Sequence, residues 1–95
     1  MQQNSKQAAF ELGQIVATPG ALAALKKARQ QAGEFLTRHV NRGWGDLPDE
    51  DRKENEYSLD GFRLLSAYRT NAGDRLWIIT EADRSLTTLL LPEEY

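Results

Sequence analysis

Cysteine is absent from all 95 residues. That excludes a disulfide framework and any thiolate metal site, and a cysteine-free chain is what a reducing, cytoplasmic compartment would produce. Histidine is represented by His39 alone and proline by Pro19, Pro48 and Pro92. No metal centre and no cofactor is expected from so thin a ligand set. No apolar run approaches the roughly 18 to 20 residues that span a bilayer, so no membrane partner is expected. The opening MQQNSKQAAF lacks the charged-then-apolar order of a signal peptide. A net basic balance is missing as well. The formal charge is −2, whereas domains that hold nucleic acid by its phosphates are usually basic, so direct nucleic-acid binding is not expected.

What remains is ordinary globular material. Hydrophobic residues make up 40% and charged residues 27%, a balance that supports one packed domain rather than disorder. The charge is unevenly spread. Residues 1–45 carry a net +4, residues 46–60 a net −5 and residues 61–95 a net −1. The acidic block consists of Asp46, Asp49, Glu50, Asp51, Glu54, Glu56 and Asp60.

Residues 1–9 read as a flexible N-terminus, and 10–95 as a single α+β domain. Phe10 to Ala17 is a brief strand or an irregular lead-in. Thr18-Pro19 is a helix start, with Thr as N-cap and Pro at the first helical position. Leu22, Leu25, Ala21 and Ala28 follow at helical spacing. A second helix is predicted from about Glu34 to Asn41, with Gly43 at a left-handed C-cap. A third runs from Asp49 to about Leu59, its acidic first turn suiting the positive helix N-terminus, with Tyr57 and Leu59 turned inward. After Gly61 the period changes. Phe62 to Thr70, Arg75 to Thr80 and Ser85 to Leu91 are rich in β-branched, aromatic and aliphatic residues, and Asn71 to Asp74 and Glu81 to Arg84 are turns. Loops this short force antiparallel neighbours. The expected architecture is two to three N-terminal helices followed by a three-stranded antiparallel meander, with the helices packed on one face of the sheet.

Three blocks, LGQIVATPGALAAL (Leu12 to Leu25), FLTRHVNRGWGDLPDEDRKENEYSL (Phe35 to Leu59) and LLSAYRTNAGDRLWIITEADRSLTTLLLPEEY (Leu64 to Tyr95), together resemble a family of short bacterial proteins borne on plasmids and other mobile elements. Its members are labelled plasmid-related protein or type I restriction endonuclease subunit M. The resemblance implies genomic company, mobile elements and host defence systems, rather than an activity. A DNA methyltransferase would need a full S-adenosylmethionine-binding α/β domain and an Asn-Pro-Pro-aromatic motif, and none of the three prolines here follows an asparagine or another proline.

Two sets of residues are candidates for function. His39 is the one side chain whose ordinary pKa lies near neutrality. As a base it would take the proton of a 2′-hydroxyl while an arginine stabilised the phosphorane. Arg63, Ser66 and Thr87 are its candidate catalytic partners, with Tyr68, Thr80, Arg84 and Thr88 nearby in the same strands. Small metal-independent ribonucleases of the barnase, EndoU and RelE type have helices followed by an antiparallel sheet, the order of elements expected here. The plainer reading has His39 capping the second helix. The other set is a binding surface of Trp44, Asp46, Asp49, Glu50 and Glu54. A tryptophan between two glycines can anchor a partner or close over a small core. The acidic helix can imitate a row of phosphates or be a solvated face partly paired by Arg52 and Lys53. Trp77, on a central strand, reads as structural. The expected function is a small non-enzymatic interaction protein of mobile elements, an inhibitor or modulator of a host nucleic-acid-processing or defence complex, with a protein as its partner.

Overall fold

The computed structural model describes residues 8–95. Of the stretch 1–9 expected to be flexible, 1–7 lie outside the described residues, and Ala9 donates its N–H to the Val40 carbonyl at 2.7 Å. The elements are strand β1 (Gln14–Ala17), helices α1 (Pro19–Ala28), α2 (Ala32–Val40) and α3 (Asp49–Ser58), strands β2 (Leu64–Arg69), β3 (Arg75–Thr80) and β4 (Leu86–Leu90), and a single 3₁₀ turn, Pro92–Glu94.

Local chemistry accounts for the helices. Thr18 caps α1 by accepting from the Ala21 N–H, Pro19 occupies the first turn, and Arg29 closes the helix in the left-handed region with φ 57°. α2 begins at Ala32, two residues before the expected Glu34, and buries Phe35, Leu36 and His39 on one stripe. The left-handed residue after it is Arg42, φ 66°, not the expected Gly43.

The protein is α+β, and β2–β3–β4 form the expected antiparallel meander. The sheet, however, has four strands in the order β1-β4-β3-β2, with β1 parallel to β4. The three-stranded, helices-first expectation is corrected on both counts, because a strand precedes α1. β1 is only four residues long and pairs with a partner 72 positions away, Gln14 with Leu86. A strand that short shows no alternation to read.

Alternation along the meander gives the sheet two unlike faces. Leu64, Ser66, Tyr68, Leu76, Ile78, Thr80, Thr87 and Leu89 are buried on one of them. There Tyr68, Leu76, Ile78 and Leu89 pack with Ala21 and Leu25 of α1 and Phe35 and Leu36 of α2 to make the main core. The other face carries Leu65, Ala67, Trp77 and Ile79, with the Tyr95 ring 5.7 Å from that of Trp77. A second cluster gathers Phe10, Trp44, Leu47 and Leu64.

α3 departs from the one-face expectation. It lies along the free edge of β2 and closes it. The Asn55 side-chain amide donates to the Leu65 carbonyl at 2.6 Å and accepts from the Leu65 N–H at 3.1 Å, imitating the backbone of a neighbouring strand. Two residues further on, the Ala67 N–H donates to the Trp44 carbonyl at 3.0 Å and the Asp46 N–H to the Ala67 carbonyl at 2.7 Å. Gly45, between them, has φ 81°, and a Cβ there would sit 2.0 Å from the Ala67 oxygen. Only glycine allows that approach. Asn55 is the one buried residue of α3. Tyr57, expected to pack inward, is 77% exposed, because the side of α3 facing β2 is taken up by polar edge pairing instead.

Candidate functional site

α2 and the inner face of the sheet bring four of the predicted residues together. His39 Nδ1 lies 2.5 Å from Ser66 Oγ, and Nε2 lies 2.9 Å from Thr80 Oγ1. Thr80 Oγ1 is 2.7 Å from Thr87 Oγ1, and the Thr87 hydroxyl donates to the Leu12 carbonyl at 2.7 Å. The last bond sets the direction of all the others. A carbonyl only accepts, so the Thr87 proton goes to Leu12 and Thr80 must donate to Thr87. With its one proton used, Thr80 accepts from His39 Nε2–H. Nδ1 is then bare and accepts from the Ser66 hydroxyl. Ser66, His39, Thr80, Thr87 and Leu12 form one directed chain in which each bond has one proton, and the imidazole is the neutral Nε2–H tautomer.

The surroundings seal this chain. His39, Ser66, Thr80 and Thr87 are all 0% exposed. The rings of Phe10 and Trp44 meet the imidazole edge-on, with centroids at 5.0 and 5.8 Å. Burial, helped by the positive charge of Arg84, lowers the His39 pKa from 6.5 to about 4. A general base has to reach the proton it abstracts. Here both ring nitrogens are bonded within the protein and neither meets solvent. The arrangement pins α2 to β2, β3 and β4 through a buried polar spine, which is costly unless every member is satisfied.

The proposed arginine lies elsewhere. Arg63 pairs with Glu81 at 3.3 Å and donates to the Tyr95 hydroxyl at 2.9 Å on the opposite face. Arg84 caps α3 from 26 residues away, donating to the Ser58 carbonyl at 2.9 Å, and also donates to the Phe62 carbonyl at 2.6 Å. Tyr68 donates to the Gly43 carbonyl beneath the Arg38 guanidinium. Among the described residues no cluster of three or more His, Asp or Glu side chains could hold a metal ion, and no helix is long and apolar enough to cross a membrane.

Neither a scan against protein-family models nor searches of the curated proteins and of the solved structures find a match for this chain. Its function is therefore read from its own surface.

The binding set divides. Trp44 is 3% exposed and donates from Nε1 to Glu56 at 2.8 Å. It belongs to the interior, so it is no surface anchor. Asp46, Asp49, Glu50 and Glu54 are exposed. The described ion pairs are Lys27–Asp74, Arg42–Glu56 and Arg63–Glu81, and none of them involves these four acids. Arg52, expected to neutralise them, turns instead to the backbone carbonyls of Gly45 at 2.7 Å and Leu47 at 3.2 Å. Glu56 is the acid of the block that is held. Arg42 grips it with two donors and Trp44 adds a third, and these bonds, Arg42 foremost, draw its carboxyl below the usual range. At the end of α3, Tyr57 in its last turn and Phe62 beyond it, 77% and 60% exposed, border a shallow depression with Glu54, Ser58 and Arg63.

Sequence reasoning passed over Phe10, Asn55, Glu56 and the capping role of Arg84. Each acts on a partner far along the chain, and nothing near it in sequence marks it.

Proposed function

We propose that this chain is a non-enzymatic interaction protein that presents α3 to a basic surface on a protein partner. One observation carries the reading. α3 buries a single side chain, Asn55, while Asp49, Glu50, Asp51 and Glu54 stand exposed outside every described ion pair. The helix spends almost none of its surface on the core. A row of free carboxylates on a helix anchored at Asn55, Glu56 and its C-terminal carbonyls is a rigid anionic face, suited to imitating nucleic-acid phosphates toward a protein that binds them. The resemblance to plasmid-borne proteins adds the class of partner, a host nucleic-acid-processing or defence complex, which the chain would inhibit or modulate. Tyr57 and Phe62 supply apolar contact beside the charge.

The test is capture from the native host, read by mass spectrometry, with wild-type protein and with Asp49, Glu50 and Glu54 all changed to Lys. Exposed charges are screened over roughly 8 Å at physiological ionic strength, so capture by the wild type should weaken as salt rises, and the reversed variant should capture nothing. Its melting temperature should fall only slightly, since acids in a first helical turn contribute about 0.3 to 1 kcal/mol each. Partner capture that survives the reversal would rule this face out.

A further inference from the structure

The sheet treats its two edges differently. At β2, Asn55 and the Trp44–Asp46 backbone occupy the outward groups of Leu65 and Ala67. At β1 no described residue does the same. The Gln14 N–H donates to Ser85 and the Thr18 N–H to Leu89, each at 3.0 Å. The alternation of a parallel ladder then turns the N–H and C=O of Ile15 and Ala17 away from β4. Neither residue has another backbone or side-chain partner among the described hydrogen bonds. Ile15 and Val16, on opposite faces of that edge, are 47% and 37% exposed.

An open edge is a template for another strand, and proteins usually guard one with charge, proline or a bulge. Among the described residues no charge or proline lies on β1 itself, and the nearest carboxylate, Glu94, accepts from the Thr18 hydroxyl and the Gly20 N–H just beyond it. From Leu12 to Leu25 there is no charged side chain, in a chain that is 27% charged overall. α1, entered directly from β1 through Thr18, adds Leu22 to that stretch at 57% exposure.

We propose that β1 is a self-association edge, on which a second copy of this chain adds its own β1 antiparallel about a two-fold axis through Val16. The unmet hydrogen bonds require a strand, and the lack of charge favours a copy, because two identical uncharged segments meet without repulsion. The register follows from which groups point outward. Placing Val16 opposite Val16 of the second copy sets Ile15 against Ala17, and the N–H and C=O of both residues are then satisfied in both chains. The two four-stranded sheets become one of eight strands. The contact is isologous, so it closes at two copies. It lies at the opposite edge of the sheet from α3 and leaves the acidic face free.

Sedimentation equilibrium should give twice the 10.7 kDa chain mass. Changing Ile15 and Val16 together to Lys should halve that mass while leaving the circular dichroism spectrum near wild type, as both side chains are already partly in water, and the melting temperature should fall only by what association contributes. Ile15→Pro provides a backbone test: it removes one outward N–H without touching the ladder to β4, and it should also yield monomers. A third measurement uses the lack of cysteine. Val16→Cys is then the only thiol, and it would face its counterpart in a non-hydrogen-bonded pair about 4.5 Å apart at Cα, within disulfide reach. Mild oxidation should convert it to a covalent dimer that keeps the fold, while Tyr57→Cys, at the far edge, should form no covalent dimer. A wild-type chain that sediments as a monomer, a dimer unaffected by the two lysines, or equal cross-linking at positions 16 and 57 would each overturn the proposal.

Discussion

At the scale of the residue, His39 shows how a titratable group can be conscripted as structure. Unfolded, its imidazole titrates near 6.5, and folded near about 4. Between those values only the unfolded chain takes up the proton. Stability is therefore intact above 6.5, falls as the pH drops toward 4, and loses nothing more from this group below that. The loss amounts to about 3 kcal/mol, a large share of the roughly 5 to 15 kcal/mol typical of a domain. Glu56, Asp83 and Glu94, all held below the ordinary carboxylate range, begin to add their losses as the pH falls through that ordinary range and continue to do so below it. Denaturant titrations across this window should show the decline. Nitrogen NMR of the single histidine should find Nε2 protonated and Nδ1 bare at neutral pH. Replacing His39 by Leu alone strands the Ser66 hydroxyl and removes the donor to Thr80, at about 1 to 3 kcal/mol for each group left unsatisfied. Changing His39, Ser66 and Thr80 together to Leu, Ala and Val should recover much of that loss, and it should flatten the pH dependence above about 5, where the carboxylates do not yet titrate. A triple variant as pH-sensitive as the wild type would mean that another group titrates. The sequence marks His39 as singular, and it puts Ser66, Thr80 and Thr87 on strands that can reach it. It does not show that they meet in the interior, because that depends on the side from which α2 crosses the sheet.

At the scale of the element, α3 is held by polar bonds more than by apolar packing. Its first turn is legible, since acids at a helix start are a local signal. Its far end is not. The last turn contains no basic residue, and the cation that satisfies its carbonyls is Arg84, in the β3–β4 turn with φ 61°. Hydrogen bonds from a charged donor contribute about 1.5 to 3 kcal/mol. Arg84→Ala should therefore destabilise the protein by about that much, and α3 should lose amide-exchange protection while β3 and β4 keep theirs. Arg84→Lys should restore only part of it, because an ammonium cannot span several carbonyls as the guanidinium fork does. Uniform loss of protection across the sheet would show that Arg84 supports the core rather than the helix. The same dependence on distant partners explains why the sequence left Trp44 open between a surface anchor and a cover for a small core, where the structure buries it. Glu56, which receives its indole N–H, looks in sequence like one more member of an acidic run.

At the scale of the whole molecule, the meander was legible because each of its contacts is local: short turns, alternating apolar residues, tight spacing. The fourth strand was legible only as one of two readings of Phe10 to Ala17, and its pairing was not, because its partner lies at the other end of the fold. That pairing also orders events in time. Closing a chain of 72 residues between Gln14 and Leu86 costs about 2 kcal/mol more in loop entropy than closing a hairpin of a few residues, so β2, β3 and β4 should assemble before β1 can dock. During synthesis the uncharged Leu12–Leu25 segment leaves the ribosome well before β4, the strand it needs. For that interval its apolar side chains have no strand to pack beside, the kind of surface on which holding chaperones act.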